Sequence, residues 1–299
     1  MAVSLSILHR SATTRARRGR ITTPHGVFDT PAFMPVGTRG SVKGILPGLV
    51  AATGAQVVLA NTYHLLLRPG PDLVARRGGL HSFISWNRPI LTDSGGYQAY
   101  SMADSNKITD DGVTFKSIVD GSLIELTPER ATHTQNALGA DIIMAFDDCP
   151  PASNAATSDA QPEDPRLIRA LRRDAASSPR KGYDHAERLR TANERTVRWL
   201  ERCKAAHQRQ HDQALFGIVQ GGTDLEARSW SAERITNIEL PGYAIGGVAV
   251  GESPDDIARV VRHTAPLLPE EKARYLMGVG YERDLLNAVR AGIDMFDCV

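Results

Sequence analysis

Pro89-Ile90-Leu91-Thr92-Asp93-Ser94-Gly95-Gly96-Tyr97-Gln98 begins as a short apolar run and breaks on an acid, a serine and two glycines. A short apolar run bounded by turn formers reads as a strand buried on both faces. The same construction recurs along the chain, with runs at 32–36, 57–60, 142–146, 215–219, 243–245, 275–277 and 293–296. Helical patterns separate most of them, at 128–138, 192–206, 225–238, 254–265 and 282–291. Apolar strands alternating with helices predict a parallel sheet covered on both sides. Eight such strands suit an α/β fold of the (β/α)8 TIM-barrel type, which commonly takes about 250 residues. A doubly wound open sheet is the alternative. It lacks its usual mark, because no G-x-G-x-x-G opens a helix after the first strand.

Two segments depart from the repeat. Residues 113–126 alternate around Asp120-Gly121, which predicts an inserted β-hairpin with a type I′ turn. Residues 152–189 are rich in Pro, Ala, Ser, Asp and Arg and read as a long surface excursion, with a short helix at 167–174. The chain start carries five arginines and no acid before Asp29, a composition shared with transit peptides. Val3-Ser4-Leu5-Ser6-Ile7-Leu8 alternates as a strand, so an N-terminal antiparallel β segment is the preferred reading. The expected organisation is one domain over 1–299 with an insertion at about 152–189.

Composition narrows the function classes. A formal net charge of +1 excludes a globally basic nucleic-acid binder, so any RNA contact must come from a local patch. Cys149, Cys203 and Cys298 are too scattered for a disulfide framework, which points to the reducing cytoplasm. They also lack C-x-x-C spacing. No apolar run reaches the ~20 residues of a transmembrane helix, so no membrane partner is expected.

In a barrel, the carboxyl ends of the strands converge on one mouth. Here those ends carry Asp93-Ser94-Gly95-Gly96, Asp147-Asp148-Cys149, Gln220-Gly221-Gly222, Gly246-Gly247, Gly278-Val279-Gly280 and Asp297. Two carboxylates from distant strands can act as nucleophile and general base at a sugar carbon. Asp147 can accept from ring N–H and amino groups, and Gln220 can donate and accept. Bare glycine amides can donate to a carbonyl, and Tyr97 and Met277 can sandwich a ring. Each residue also has a plainer reading: Asp93 or Asp147 as a helix N-cap, Gly-Gly as a turn, Tyr97 and Met277 as core. Six strand ends of one character favour a purine-sized pocket.

Segments 91–98, 144–149, 216–221, 246–252, 275–280 and 292–299 resemble the signature segments of the tRNA-guanine transglycosylase (queuine tRNA-ribosyltransferase) family, as do 30–38 and 112–116. The resemblance implies a pentosyltransferase that exchanges the wobble guanine (guanine 34) of GUN anticodons, in tRNAs for Asp, Asn, His and Tyr. In bacteria the incoming base is 7-aminomethyl-7-deazaguanine, a queuosine precursor. By position, Asp297 matches the nucleophile and Asp93 the general acid/base. Asp93, Ser94, Gly95, Gly96, Tyr97, Asp147, Gln220, Gly247 and Met277 match the base site, and Gly278, Val279, Gly280, Tyr281, Glu282, Arg283 and Asp284 a segment assigned to tRNA contact. Cys149 and Val250 match the bacterial pattern. Val248 replaces a common Leu and Asp148 a usual Glu, so a backbone-orienting contact is expected to shorten.

The family continues past the last strand with an arginine-containing loop, a zinc site of Cys-x-Cys-x-x-Cys plus a distant His, and surface for a homodimer. The sequence contains no such run, so we expect a chain incomplete at its C-terminus, without zinc ligands. His207 and His211 have metal-compatible spacing but no third ligand, and read as a solvated helix end. Two alternatives remain: a noncatalytic tRNA-binding subunit of the same fold, and a barrel glycosidase. Asp93 with Asp297 argues against the first, Asp147 with Gln220 against the second.

Overall fold

Strands β1 (Ser4–Arg10), β2 (Arg17–Thr23) and β3 (Gly26–Thr30) form an antiparallel sheet in a computed structural model that describes residues 3–101, 106–150 and 184–299. The barrel follows as β4 (Ala32–Met34), β5 (Val36–Gly37), β6 (Val58–Ala60) and β7 (Ile90–Thr92). After an insertion of β8 (Asn106–Ile108), β9 (Val113–Lys116) and β10 (Leu123–Leu126), it resumes with β11 (Ile142–Met144) and β12 (Ala214–Val219). It ends with β13 (Gly242–Ile245), β14 (Ala273–Leu276) and β15 (Met295–Asp297).

The large sheet is parallel throughout, in the order β4-β15-β14-β13-β12-β11-β7-β6-β5. Its two ends, β4 and β5, are halves of one strand interrupted at Pro35, which has no N–H to give the ladder. Its carbonyl still accepts from the Leu59 amide at 3.0 Å. The sheet therefore closes, and the open-sheet alternative is excluded.

Strand residues divide by parity. Leu59, Leu91, Ile142, Met144, Phe216, Ile218, Ala244, Tyr275 and Met295 fill the barrel. Their neighbours Val58, Ile90, Ile143, Leu215, Val219, Tyr243, Ile245, Leu276 and Phe296 pack under the helices. Successive side chains on a strand point to opposite faces, so both faces must be apolar here. A side chain at Gly242 would collide with the ring of Phe216 on the paired strand.

The N-terminal sheet closes the amino end of the barrel. Ile21 and Phe28 join the interior cluster. Arg17, buried, donates to Asp294 just before β15, Nε to Oδ1 at 2.9 Å and Nη2 to Oδ2 at 2.5 Å. The arginine-rich start is thus part of the fold, with Arg17 inward and Arg18 and Arg20 outward.

Three expectations need correction. The hairpin is joined by a six-residue loop, with Lys116 paired to Leu123, and a third strand, β8, lies beside β9. Only Gly121 in that loop has positive φ, at 76°, whereas a type I′ turn needs two such residues. The helix expected at 192–206 begins at His185, capped by Asp184, whose carboxylate accepts from the Ala186 and Glu187 amides. Its polar first turns masked it, so the excursion ends before 184; the helix expected at 167–174 lies outside the described residues. Finally, that helix stops at Ala206, and His207 is buried rather than solvated.

Candidate active site

All the acids picked out at strand ends except Asp148 open into one cavity of about 350 Å³ at the carboxyl mouth. Asp93 follows β7 directly. Its Oδ1 accepts from the Thr62 amide at 2.7 Å and its Oδ2 from Asn61 Nδ2 at 2.5 Å. Asp93 thus ties down the start of the helix Thr62–Leu67, whose own N-cap is Asn61, while lining the cavity. Burial pushes its carboxyl up to about 6, against those two hydrogen bonds, and the charge of Asp297 adds to the rise.

Asp297 ends β15. Its Oδ1 accepts from the Tyr275 hydroxyl at 2.6 Å and from the Gly278 amide at 2.8 Å. Burial raises this carboxyl above the ordinary range, against the same two donors. Oδ2 accepts no hydrogen bond from the described residues.

Asp147 lines the same cavity, its Oδ2 accepting from Gln220 Nε2 at 2.6 Å and its Oδ1 from Ser94 Oγ at 3.5 Å. Burial pushes it to about 7, with Asp148 and Asp93 adding to the rise. Gly247, at φ +62°, packs so closely that a Cβ there would collide with Gln220 Oε1. Tyr97, Met277, Cys149 and Val250 complete the walls.

Of the residues read as a base site, Asp93, Ser94, Gly95, Tyr97, Asp147, Gln220, Gly247 and Met277 line the cavity together with Asp297. Gly96 does not. It packs on Phe146 and the Asp147 carbonyl, where a Cβ would come within 3.1 Å. Asp148 points away, held by Arg188 at 2.6 and 2.9 Å and by Arg195 at 2.6 Å on the helix His185–Ala206. It orients that helix rather than the pocket backbone. In the 278–284 segment, Gly278 lines the cavity and Tyr281 is 80% exposed, but Val279 and Asp284 are buried. Tyr281, Glu282 and Arg283 are the exposed side chains there, and of these Tyr281 and Arg283 do not repel a phosphate.

Sequence reasoning missed Asn61, Tyr275 and Arg228. Asn61 follows β6 and obeys the same strand-end rule as the others. Tyr275 shares parity with Met277, which was a usable signal. Arg228, within the helix Leu225–Asn237, gave none.

His25, His81 and Asp141 are the metal-compatible group among the described residues. Their imidazoles stack at 3.5 Å and 14°, each bonded to a different oxygen of Asp141, at 2.8 and 3.0 Å. Near-parallel rings send their in-plane lone pairs side by side, not to one point, so the group is a hydrogen-bonded clasp at the amino end of the barrel. Both ring nitrogens of His207 are engaged, by Asn136 and the Gln213 carbonyl. The Cys-rich zinc set of the resemblance does not fit residues of this chain.

Comparison with known proteins agrees with this geometry. The family profile "Queuine tRNA-ribosyltransferase" matches residues 11–173 and 174–299. A queuine tRNA-ribosyltransferase of Nostoc sp. is 52% identical over 296 residues, covering 99% of this chain and 71% of the relative. Those of Synechococcus elongatus and Halothermothrix orenii are 50% and 49% identical, each covering 100% of this chain and 70% and 72% of the relative. A closed barrel with paired strand-end acids, and identity of this extent along the whole chain, make it a member of the queuine tRNA-ribosyltransferase family.

Proposed function

We propose that this chain is a tRNA-guanine transglycosylase that replaces guanine 34 of GUN anticodons with 7-aminomethyl-7-deazaguanine by double displacement. The observation that carries this reading is the meeting of Asp93 and Asp297 in one cavity with a base-reading pair, Asp147 and Gln220. Asp297 attacks C1′ of the ribose through Oδ2 and guanine leaves, giving a covalent ribosyl-aspartate. The transition state resembles an oxocarbenium ion, which the two carboxylates stabilise. The incoming base attacks the same carbon, so two inversions give retention. Asp93 takes the proton that the incoming base gives up. Tyr275 and the Gly278 amide hold Oδ1 of the nucleophile and fix its direction.

The base sits with its N–H edge on Asp147 and a ring face toward Tyr97 or Met277. Guanine must leave its stack to reach this depth, which an anticodon loop allows more easily than a duplex. Exposed Tyr281 and Arg283 beside the mouth support a role in tRNA contact. Ile45, Leu46 and Leu49 form an exposed apolar group that supports a homodimer. No described helix is long and apolar enough to cross a membrane, and scattered free cysteines support the cytoplasm.

The test is incorporation of labelled guanine into unmodified tRNA. Exchange is expected with the native chain, a denaturation-resistant tRNA adduct should form, and Asp297→Asn should form none. Asp93→Asn should keep base binding and lose turnover. An undiminished adduct with Asp297→Asn would refute the assignment.

A further inference from the structure

Arg228 is fully buried, and no described carboxylate forms an ion pair with it. Its guanidinium is spent on backbone carbonyls of two adjacent strand ends. Nε donates to Gly222 O at 2.8 Å, Nη1 to Val219 O at 3.1 Å and Gly246 O at 2.7 Å, and Nη2 to Gly247 O at 2.8 Å. Gly221, at φ +139°, lets its loop approach; a Cβ there would stand 2.8 Å from the Arg228 amide. A buried guanidinium without a touching carboxylate is costly. Burial accordingly lowers it to about 10, which leaves it charged at neutral pH, with Glu252 the opposing charge at longer range.

Two of the four carbonyls, those of Gly246 and Gly247, belong to residues that line the base pocket. In a trans peptide the C=O and N–H point in opposite directions. With the Gly246 carbonyl turned to Arg228, the Gly247 amide is turned away from it. Gly246 and Gly247 line the cavity beside Gln220 and Asp147. On guanine the carbonyl oxygen neighbours the ring N–H that Asp147 accepts. Gln220, bonded to Asp147 and packed on Gly247, marks that side of the pocket.

We infer that Arg228 is a positioning residue for base recognition: it fixes the Gly247 amide as the donor to the 6-oxo group of guanine and strengthens that donor. This rests on the base-exchange reading above. The strengthening has a direct cause. A carbonyl that accepts from a cation polarises its peptide and makes the N–H of the same peptide a better donor. As the C1′–N9 bond breaks, electron density moves onto the purine and its oxygen. A preorganised amide aimed at that oxygen then gains more in the transition state than in the ground state.

The test compares guanine with 2-aminopurine, which has the same ring frame and amino group but lacks the 6-oxygen and, with it, the adjacent ring N–H. The native preference therefore reports the Asp147 and the amide contacts together, and its change on substitution at Arg228 reports the amide. Affinities are measured by calorimetry for the native chain, Arg228→Lys and Arg228→Met, with a melting curve to establish folding. The native chain should prefer guanine. Arg228→Met should lose at least about tenfold in guanine affinity with little change for 2-aminopurine, because a lost buried hydrogen bond is worth roughly one decade. Arg228→Lys keeps a charge but cannot reach all four carbonyls, so its preference should fall by at least about threefold. Should Arg228→Met fail to fold, the lysine variant carries the test. Equal loss for both bases, or an unchanged preference in any folded variant, overturns the inference. A native chain that binds no guanine overturns the base-exchange reading, and this inference with it.

Discussion

Replacing Asp147 by Asn should stabilise the chain at neutral and alkaline pH while weakening base binding. Burial pushes the Asp147 carboxyl to about 7, from an ordinary 3.8. The folded chain therefore holds this proton more tightly than the unfolded chain. The resulting stabilisation is fully present below about 3.8 and is lost as pH rises through about 7. Between about pH 5 and pH 8 the loss amounts to roughly 2–3 kcal/mol. Asn cannot ionise, yet its amide oxygen can still accept from Gln220 Nε2, which stands 2.6 Å from the carboxylate. The stability gained by the variant over the native chain should thus grow by roughly 2–3 kcal/mol over that range, or about 3–5 °C in melting temperature for a chain of this length. The raised carboxyl of Asp93 is common to both proteins and largely cancels. Melting curves or urea titrations of both proteins at four pH values measure the gap. A gap independent of pH would refute the claim that Asp147 bears an uncompensated buried charge. Guanine affinity should fall at least about tenfold in the variant, because one of two acceptor oxygens facing the base edge is lost.

Exchange should also depend on pH through Asp93, whose carboxyl stands at about 6 and must be ionised to accept a proton; kcat/KM should fall about tenfold per pH unit below that value, and a flat profile from about pH 5 to 8 would remove Asp93 from proton transfer. Asp141→Ala should cost about 3 kcal/mol or more in urea titrations, because the Ile90 and His25 amides and two imidazoles lose their acceptor. Burial raises the Asp141 carboxyl, but bonds from His81, the Ile90 amide and His25 hold it below the usual range, so its contribution is present above the ordinary carboxylate value and fades as the solution is acidified. Arg17→Ala should cost roughly 3–5 kcal/mol by leaving Asp294 charged and buried, measured in the same way. Cys203 should resist thiol reagents in the native state at about pH 8, since burial pushes its thiol to about 11; prompt labelling would contradict that burial.

The barrel was legible in the residues because its strands are buried on both faces. Runs such as Ile142-Ile143-Met144 and Leu215-Phe216-Gly217-Ile218-Val219 have no polar parity to hide them. The same rule located Asp93, Asp147, Gln220 and Asp297, since parallel strands deliver their carboxyl ends to one mouth whatever the loop lengths. It could not separate Asp147 from Asp148. Adjacent residues leave a chain end in different directions, and only packing against Arg188 and Arg195 decides that Asp148 faces the helix His185–Ala206. Nor could it separate Gly95 from Gly96, one at the cavity and one under Phe146. The sequence by itself determined the barrel strands, their parallel arrangement and the chemical types at the mouth, because these follow from local periodicity and residue identity, whereas β8 and two strands of the N-terminal sheet escaped it. Tertiary structure alone decided the carboxyl shifts at Asp93 and Asp147, the Asp141 clasp and the reach of Arg228. Burial and long-range hydrogen bonding depend on neighbours tens or hundreds of residues away, and no local pattern records them.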